Sequence, residues 1–142
     1  MPHVHITLPS GQFDEPTQQA LVERLTSDLL AAEGLPETAT TRSLTSIVID
    51  EAAGGRWRVA ALPVEQRGEV RAFVRITTFT ELLDPTKRAA LIGAVNAAII
   101  DAAGGDPLDG LGVWTVIDEI ADGSWGAAGN PLAAADLRAV NA

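Results

Sequence analysis

The chain has 142 residues, 46% of them apolar, the size of one domain with room for a real core. Its formal charge of −9 speaks against nucleic acid as a partner, because phosphate binding needs clustered Lys and Arg. There is no cysteine, so disulfides, thiolate catalysis and cysteine-based zinc sites are excluded.

The opening run "MPHVHITL" alternates, with Val4, Ile6 and Leu8 on one side and His3, His5 and Thr7 on the other, which predicts a strand. Pro2 lacks a backbone N–H and is tolerated at the head of a strand. His3 and His5 share a strand face with no acidic residue close in sequence, so no metal is expected there. No basic segment followed by an apolar run marks a signal peptide. The longest apolar stretch, "AALIGAVNAAII", is too short and too interrupted to cross a bilayer. A cytoplasmic protein without a membrane partner is the expectation.

Asp14 then caps a helix that has Glu15 and Pro16 in its first turn. Leu21, Leu25 and Leu29 mark one face at spacing four, and Gly34 ends the helix. The strand "SLTSIVIDE" follows, and "EAAGGRW" reads as a turn. The same order returns further on. "VRIT" at 74–77 matches "VHIT" at 4–7, and Asp84 with Pro85 opens a second helix. Leu91, Val95 and Ile99 form its stripe, and the glycines at 104–105 stop it. "GVWTVIDE" closes the second copy, with "IADGSWG" as its turn. "VIDE" occurs at 48–51 and at 116–119, each followed at equal spacing by a Trp, Trp57 and Trp125.

These echoes predict two β-α-β repeats, 1–65 and 66–142, within a single domain. A crossover of this length joins parallel strands and is right-handed. The predicted fold is therefore α/β in two layers (α+β), a four-stranded mixed sheet with two helices on one face. The closing strands carry apolar residues on both sides: Ile47, Val48 and Ile49, then Val113, Trp114, Val116 and Ile117. Such runs suggest strands buried on both faces. A bare apolar sheet face is rarely left in water, so self-association is expected.

A Pro after the first Met at the start of a strand, a doubled β-α-β unit and the closing "VWTVIDEIADGSWGAAG" together resemble the tautomerase superfamily. That group includes 4-oxalocrotonate tautomerase, macrophage migration inhibitory factor, malonate semialdehyde decarboxylase and cis-3-chloroacrylic acid dehalogenase. The doubled length is similar to its fused members. The resemblance implies that Met1 is removed and that Pro2 works through a free secondary amine. It also implies a homotrimer, a small-molecule substrate and no cofactor. An α-amine titrates near neutrality, at roughly 7.7–8.0, and an apolar pocket lowers it further, toward the range useful to a general base. The expected reaction is keto–enol tautomerisation of a small 2-oxo acid or aryl enol. The alternatives are hydration, dehalogenation or decarboxylation with the same amine, or a non-catalytic ferredoxin-like binding or assembly domain.

Trp125 falls where the resemblance implies an aromatic beside the proline. The arginine positions are filled differently: Gln12 and Trp114 stand at two of them, and Leu82 and Phe79 near the equivalent places of the second half. The expected substrate-binding set is Trp125, Trp114, Arg75 and Gln12, with Pro2 catalytic. Arg75 aligns with His5 between the halves, Arg71 shares its strand face, and Arg56 and Arg58 flank Trp57. A bidentate Arg from this group would serve as a carboxylate clamp. The second repeat has Ala72 where the first has Pro2, so the fold itself does not require a proline there.

Overall fold

The computed structural model describes residues 2–105 and 107–140. Strand β1 (His3–Pro9) leads into helix α1 (Glu15–Glu33), a short helix α2 (Ala39–Ser43) and strand β2 (Ser46–Ala52). A small hairpin, β3 (Arg58–Val59) and β4 (Leu62–Pro63), connects to β5 (Ala72–Phe79). Helix α3 (Pro85–Ala102) and strand β6 (Val113–Ile120) follow, then a second hairpin, β7 (Trp125–Ala127) and β8 (Asn130–Leu132), and α4 (Ala134–Ala139). The main sheet has the order β2-β1-β5-β6. Its outer pairs are parallel and its central pair antiparallel, giving the expected four-stranded mixed sheet.

Both long helices start as the sequence dictates. The Asp14 carboxylate accepts from the Thr17 N–H at 3.0 Å, and Asp84 accepts from the Lys87 N–H at 2.8 Å. Each satisfies a donor the helix leaves unpaired, with a proline in the first turn where no N–H is missed. The Thr17 hydrogen bond holds the Asp14 carboxyl below its usual range. Gly34 ends α1 in the left-handed region, at φ 72°, and its N–H returns to the Ala31 carbonyl. A side chain at that φ is strained, so glycine suits the position.

The core lies between one sheet face and the paired helices. Ile6 stands opposite Val74 and Val4 opposite Ile76 across the central strand pair. All four are essentially inaccessible, beneath Leu21, Leu25 and Leu29 of α1 and Leu91, Val95 and Ile99 of α3. Burying each such side chain contributes roughly 1.5–3 kcal/mol. The apolar closing strands resolve by alternation. Ile47, Ile49, Val113 and Ile117 pack on the core, while Val48, Trp114 and Val116 turn to the open face.

That open face is less uniformly apolar than the sequence runs suggest. His5 Nε2 hydrogen-bonds Asp50 Oδ2 at 2.6 Å across β1 and β2, and Arg75 pairs with Asp118 across β5 and β6. The strand period of two places these pairs beside Val48 and Val116, so the surface is mixed in character. No helix among the described residues is long and apolar enough to cross a membrane.

The entry to β6 depends on one close approach. A Cβ at Gly112 would stand 2.0 Å from the Val70 carbonyl oxygen, a backbone atom that cannot move aside without shifting the start of β5. Gly112→Ala is therefore expected to lower stability by about 1–3 kcal/mol in urea unfolding, the usual cost of overpacking. A variant as stable as the wild type would contradict this packing.

Candidate functional site at the amino-terminal end of the central strand

The sheet geometry gathers several elements around Pro2. Its carbonyl accepts from the Ser46 N–H at 3.1 Å, which ties it to the start of β2. Pro2 itself is buried. Strand alternation puts it on the helix-facing side with Val4 and Ile6. On the neighbouring strand, His3 is registered with Thr77, so the antiparallel pairing carried one residue further sets Pro2 against Thr78.

Thr78 and Glu33 form a buried polar pair there. Thr78 is 1% exposed and Glu33, the last residue of α1, is 6% exposed. The Thr78 hydroxyl donates to Glu33 Oε1 at 2.5 Å. Glu33 Oε2 is buried without a hydrogen-bond partner among the described residues. Burial pushes the Glu33 carboxyl above its usual range, opposed by the Thr78 hydrogen bond and by the positive charge of the chain's amino terminus.

The apolar wall comes from the end of the chain. After β6, Asp122 accepts from the Ala134 N–H at 2.8 Å, and Gly123 donates to the Leu132 carbonyl at 2.8 Å. These bonds fold the β7–β8 hairpin and α4 back over the sheet end. A second apolar cluster forms there from Phe79, Leu82, Ala134 and Leu137, with Leu44, Ile120, Trp125 and Leu132 packed against it. The Trp125 ring lies 6.4 Å from the His3 ring, edge-on, and 6.2 Å from Phe79. His3 Nδ1 hydrogen-bonds Ser46 Oγ at 3.3 Å on the other side of the strand. This end of the sheet thus carries an apolar cluster with Trp125 on one face and the buried Glu33–Thr78 pair on the other.

The other residues singled out in the sequence lie elsewhere. Gln12 is at the far end of β1, where its side-chain amide bridges the Arg71 backbone. It donates to the Arg71 carbonyl at 2.8 Å and accepts from the Arg71 N–H at 2.9 Å. Trp114 is registered with Phe73, which is registered with Thr7, so it stands about 17 Å along the sheet from Pro2 at ~3.3 Å per residue. There it joins Thr7, Ala52, Arg56, Trp57 and Phe73 around an open groove of about 380 Å³. Arg75 sits mid-face, held by Asp118, and Arg71 is buried against Glu69. Arg58 donates to the Gly55 and Ala61 carbonyls of its own hairpin. Within one chain, Pro2 and Trp125 are brought to the same end of the sheet, whereas Gln12, Trp114 and Arg75 are not brought to them. The acidic residues of both "VIDE" segments are engaged: Asp50 by His5, Asp118 by Arg75, Glu119 by Arg88, and Glu51 by the Gly11 N–H at 3.1 Å. Among the described residues no three His, Asp or Glu side chains gather in a metal-holding group.

Glu33 is the residue that the sequence reading passed over. The signal was present, because position 33 continues the spacing-four stripe of Leu21, Leu25 and Leu29. A glutamate on the buried stripe of a helix needs a reason.

No family model matches the sequence, and no curated protein matches it significantly. Solved structures do match the fold. A fused 4-OT, described as a wild-type symmetric trimer, superposes with a TM-score of 0.73 at 23% identity, covering 94% of this chain and 96% of its own. The N1 protein, a member of the cis-3-chloroacrylic acid dehalogenase family, superposes with a TM-score of 0.73 at 14% identity, covering 92% of this chain and 82% of its own. Macrophage migration inhibitory factor of Toxoplasma gondii superposes with a TM-score of 0.69 at 15% identity, over 92% of this chain and 99% of its own.

The two bonds made by Gln12 give a direct check on its role. Gln12→Ala leaves a partly buried donor and acceptor on Arg71 unpaired, and is expected to cost about 1–3 kcal/mol of unfolding free energy. An unchanged stability would mean that the bridge contributes nothing and would leave the amide free for substrate.

Proposed function

We propose, from the premise that this chain has the fold of the tautomerase superfamily, that Pro2 is its acid–base catalyst once Met1 has been removed. The observation that supports this most is the position of Pro2. It heads a central strand, buried at the sheet end that also carries Trp125, Phe79 and the buried Glu33 carboxyl.

The proposed reaction is enol–keto conversion. The Pro2 nitrogen takes the enol hydroxyl proton, the oxygen's electrons form the carbonyl, and the former double bond takes a proton from the resulting ammonium at carbon. Proton count and charge balance without a cofactor. The amine suits both halves of the reaction because an α-amine's ordinary pKa lies close to neutrality.

The side chains at this end favour an aryl enol or a small 2-oxo acid with at most one carboxylate. Trp125 and Phe79 offer aromatic edges, and the arginines near this end, Arg42, Arg88 and Arg138, each have a partner. Arg88 pairs with Glu119, and Arg138 reaches the Glu81 carbonyl at 3.5 Å. A substrate carrying two carboxylates would meet a chain already at −9 with no unpartnered guanidinium at this end among the described residues. Trp114, Arg75 and Gln12 would reach such a site only from a neighbouring copy. Their place on or beside the open sheet face, with the exposed Val48 and Val116, fits a self-associating chain, and we propose a homotrimer.

Conversion of phenylenolpyruvate to its keto form, followed by absorbance, tests the reading. Pro2→Ala is expected to lower kcat/KM at least about 100-fold, the scale of a lost acid–base group. Equal rates for the wild type and Pro2→Ala would instead favour a non-catalytic binding domain.

A further inference from the structure

We infer that Glu33 is the partner of the Pro2 nitrogen, a buried carboxyl that Thr78 orients and that holds the protonated amine in place. The inference rests on the reading that Pro2 carries the reactive amine.

Four observations lead to it. Position 33 lies on the stripe by which α1 buries Leu21, Leu25 and Leu29, so the glutamate side chain is directed into the molecule. A carboxyl there is costly unless it is paired and hydrogen-bonded. Only half of that requirement is met: Thr78 serves Oε1, while Oε2 is buried and unpartnered among the described residues. Buried polar side-chain atoms are nearly always satisfied, so an orphan oxygen marks a missing donor. Lastly, the β1–β5 register sets Pro2 against Thr78 on the same, helix-facing side.

The other charged groups around Glu33 are spoken for. From α3, Lys87 approaches Gly34 and points its Nζ at the Leu82 carbonyl, 3.5 Å away. From α2, Arg42 is paired with Glu37. His3 of β1 lies on the opposite strand face, against Ser46. While Met1 is attached, Pro2 has an amide nitrogen with no hydrogen to give. With Met1 gone it becomes a secondary amine that carries two N–H donors when protonated, set by the β1–β5 register beside the Thr78–Glu33 pair.

Two consequences follow for chemistry. A neighbouring carboxylate favours the charged amine, offsetting the apolar wall that disfavours it. The ammonium formed when Pro2 takes the enol proton is also held in a fixed orientation, one hydrogen on Glu33 and the other free to pass to carbon. Glu33 acts through Pro2 and is a positioning residue, with Thr78 positioning it in turn.

The test titrates the Pro2 nitrogen directly. Protein labelled with ¹⁵N-proline contains eight prolines, of which only Pro2 has an amine nitrogen once Met1 is removed. Its titration is followed by NMR in the wild type, Glu33→Gln, Glu33→Asp and Thr78→Val. Loss of the carboxylate is expected to lower the Pro2 pKa by about one pH unit or more. Thr78→Val should move it the same way by less, and Glu33→Asp should restore part of it. The acid limb of kcat/KM for phenylenolpyruvate should follow the same order. An unchanged Pro2 titration in Glu33→Gln, or in Thr78→Val should Glu33→Gln fail to fold, overturns the inference. The two readings separate cleanly. If Pro2→Ala keeps the wild-type rate while the titration still shifts, the catalytic role falls and the Glu33–Pro2 pair stands. If the rate falls but the titration does not move, the pair falls alone.

Discussion

The antiparallel pairing of β1 with β5 is the constraint on which the rest of this structure depends. Each β-α-β unit supplies one inner strand, and the pairing of Ile6 with Val74 and Val4 with Ile76 joins their apolar faces into one core under both helices. Because the pair is antiparallel, the start of the first unit lies against the end of the second unit's leading strand. Pro2 therefore stands against Thr78, and the chain leaving β6 needs only a short hairpin to bring Trp125 over the same end. A parallel central pair would have sent the Trp125 hairpin to the opposite end of the sheet.

The same alternation that builds the core sorts the polar groups. On the helix side, Glu33 and Thr78 are polar residues among Leu, Ile and Val, and the cost of placing them there makes a chemical role the economical explanation. On the open side, charges are paired across neighbouring strands and contribute little to stability at such exposure. Arg75 illustrates the difference. It is well placed in sequence to be a carboxylate clamp, but Asp118 already holds it on an exposed surface.

Much of the architecture was legible in the residues because the signals were local. Asp14 and Asp84 cap their helices, Gly34 ends one of them, and the spacing-four stripes point inward, since each depends on backbone geometry within a turn or two. Pro2 and Trp125 come to the same end of the sheet because both sit at strand ends placed there by the order of the sheet. Gln12 and Trp114 were harder to read: both adjoin ends of inner or outer strands far from Pro2, and only register distinguishes the two ends of a sheet. The hairpins and the short helices α2 and α4 escaped notice because their elements span only two to six residues, too few for a periodic pattern. The apolar closing strands suggested a bare face, but period-two alternation sends half of those residues into the core.

Proton transfer by Pro2 and its pairing with Glu33 both require a free secondary amine, since an amide there has neither a lone pair basic enough to take a proton nor a hydrogen for Glu33. The intact mass of the purified protein measures this most directly. The expected mass is lower than that of the full sequence by one methionine residue, with Pro2 at the amino terminus. A mass that retains Met1 would contradict it.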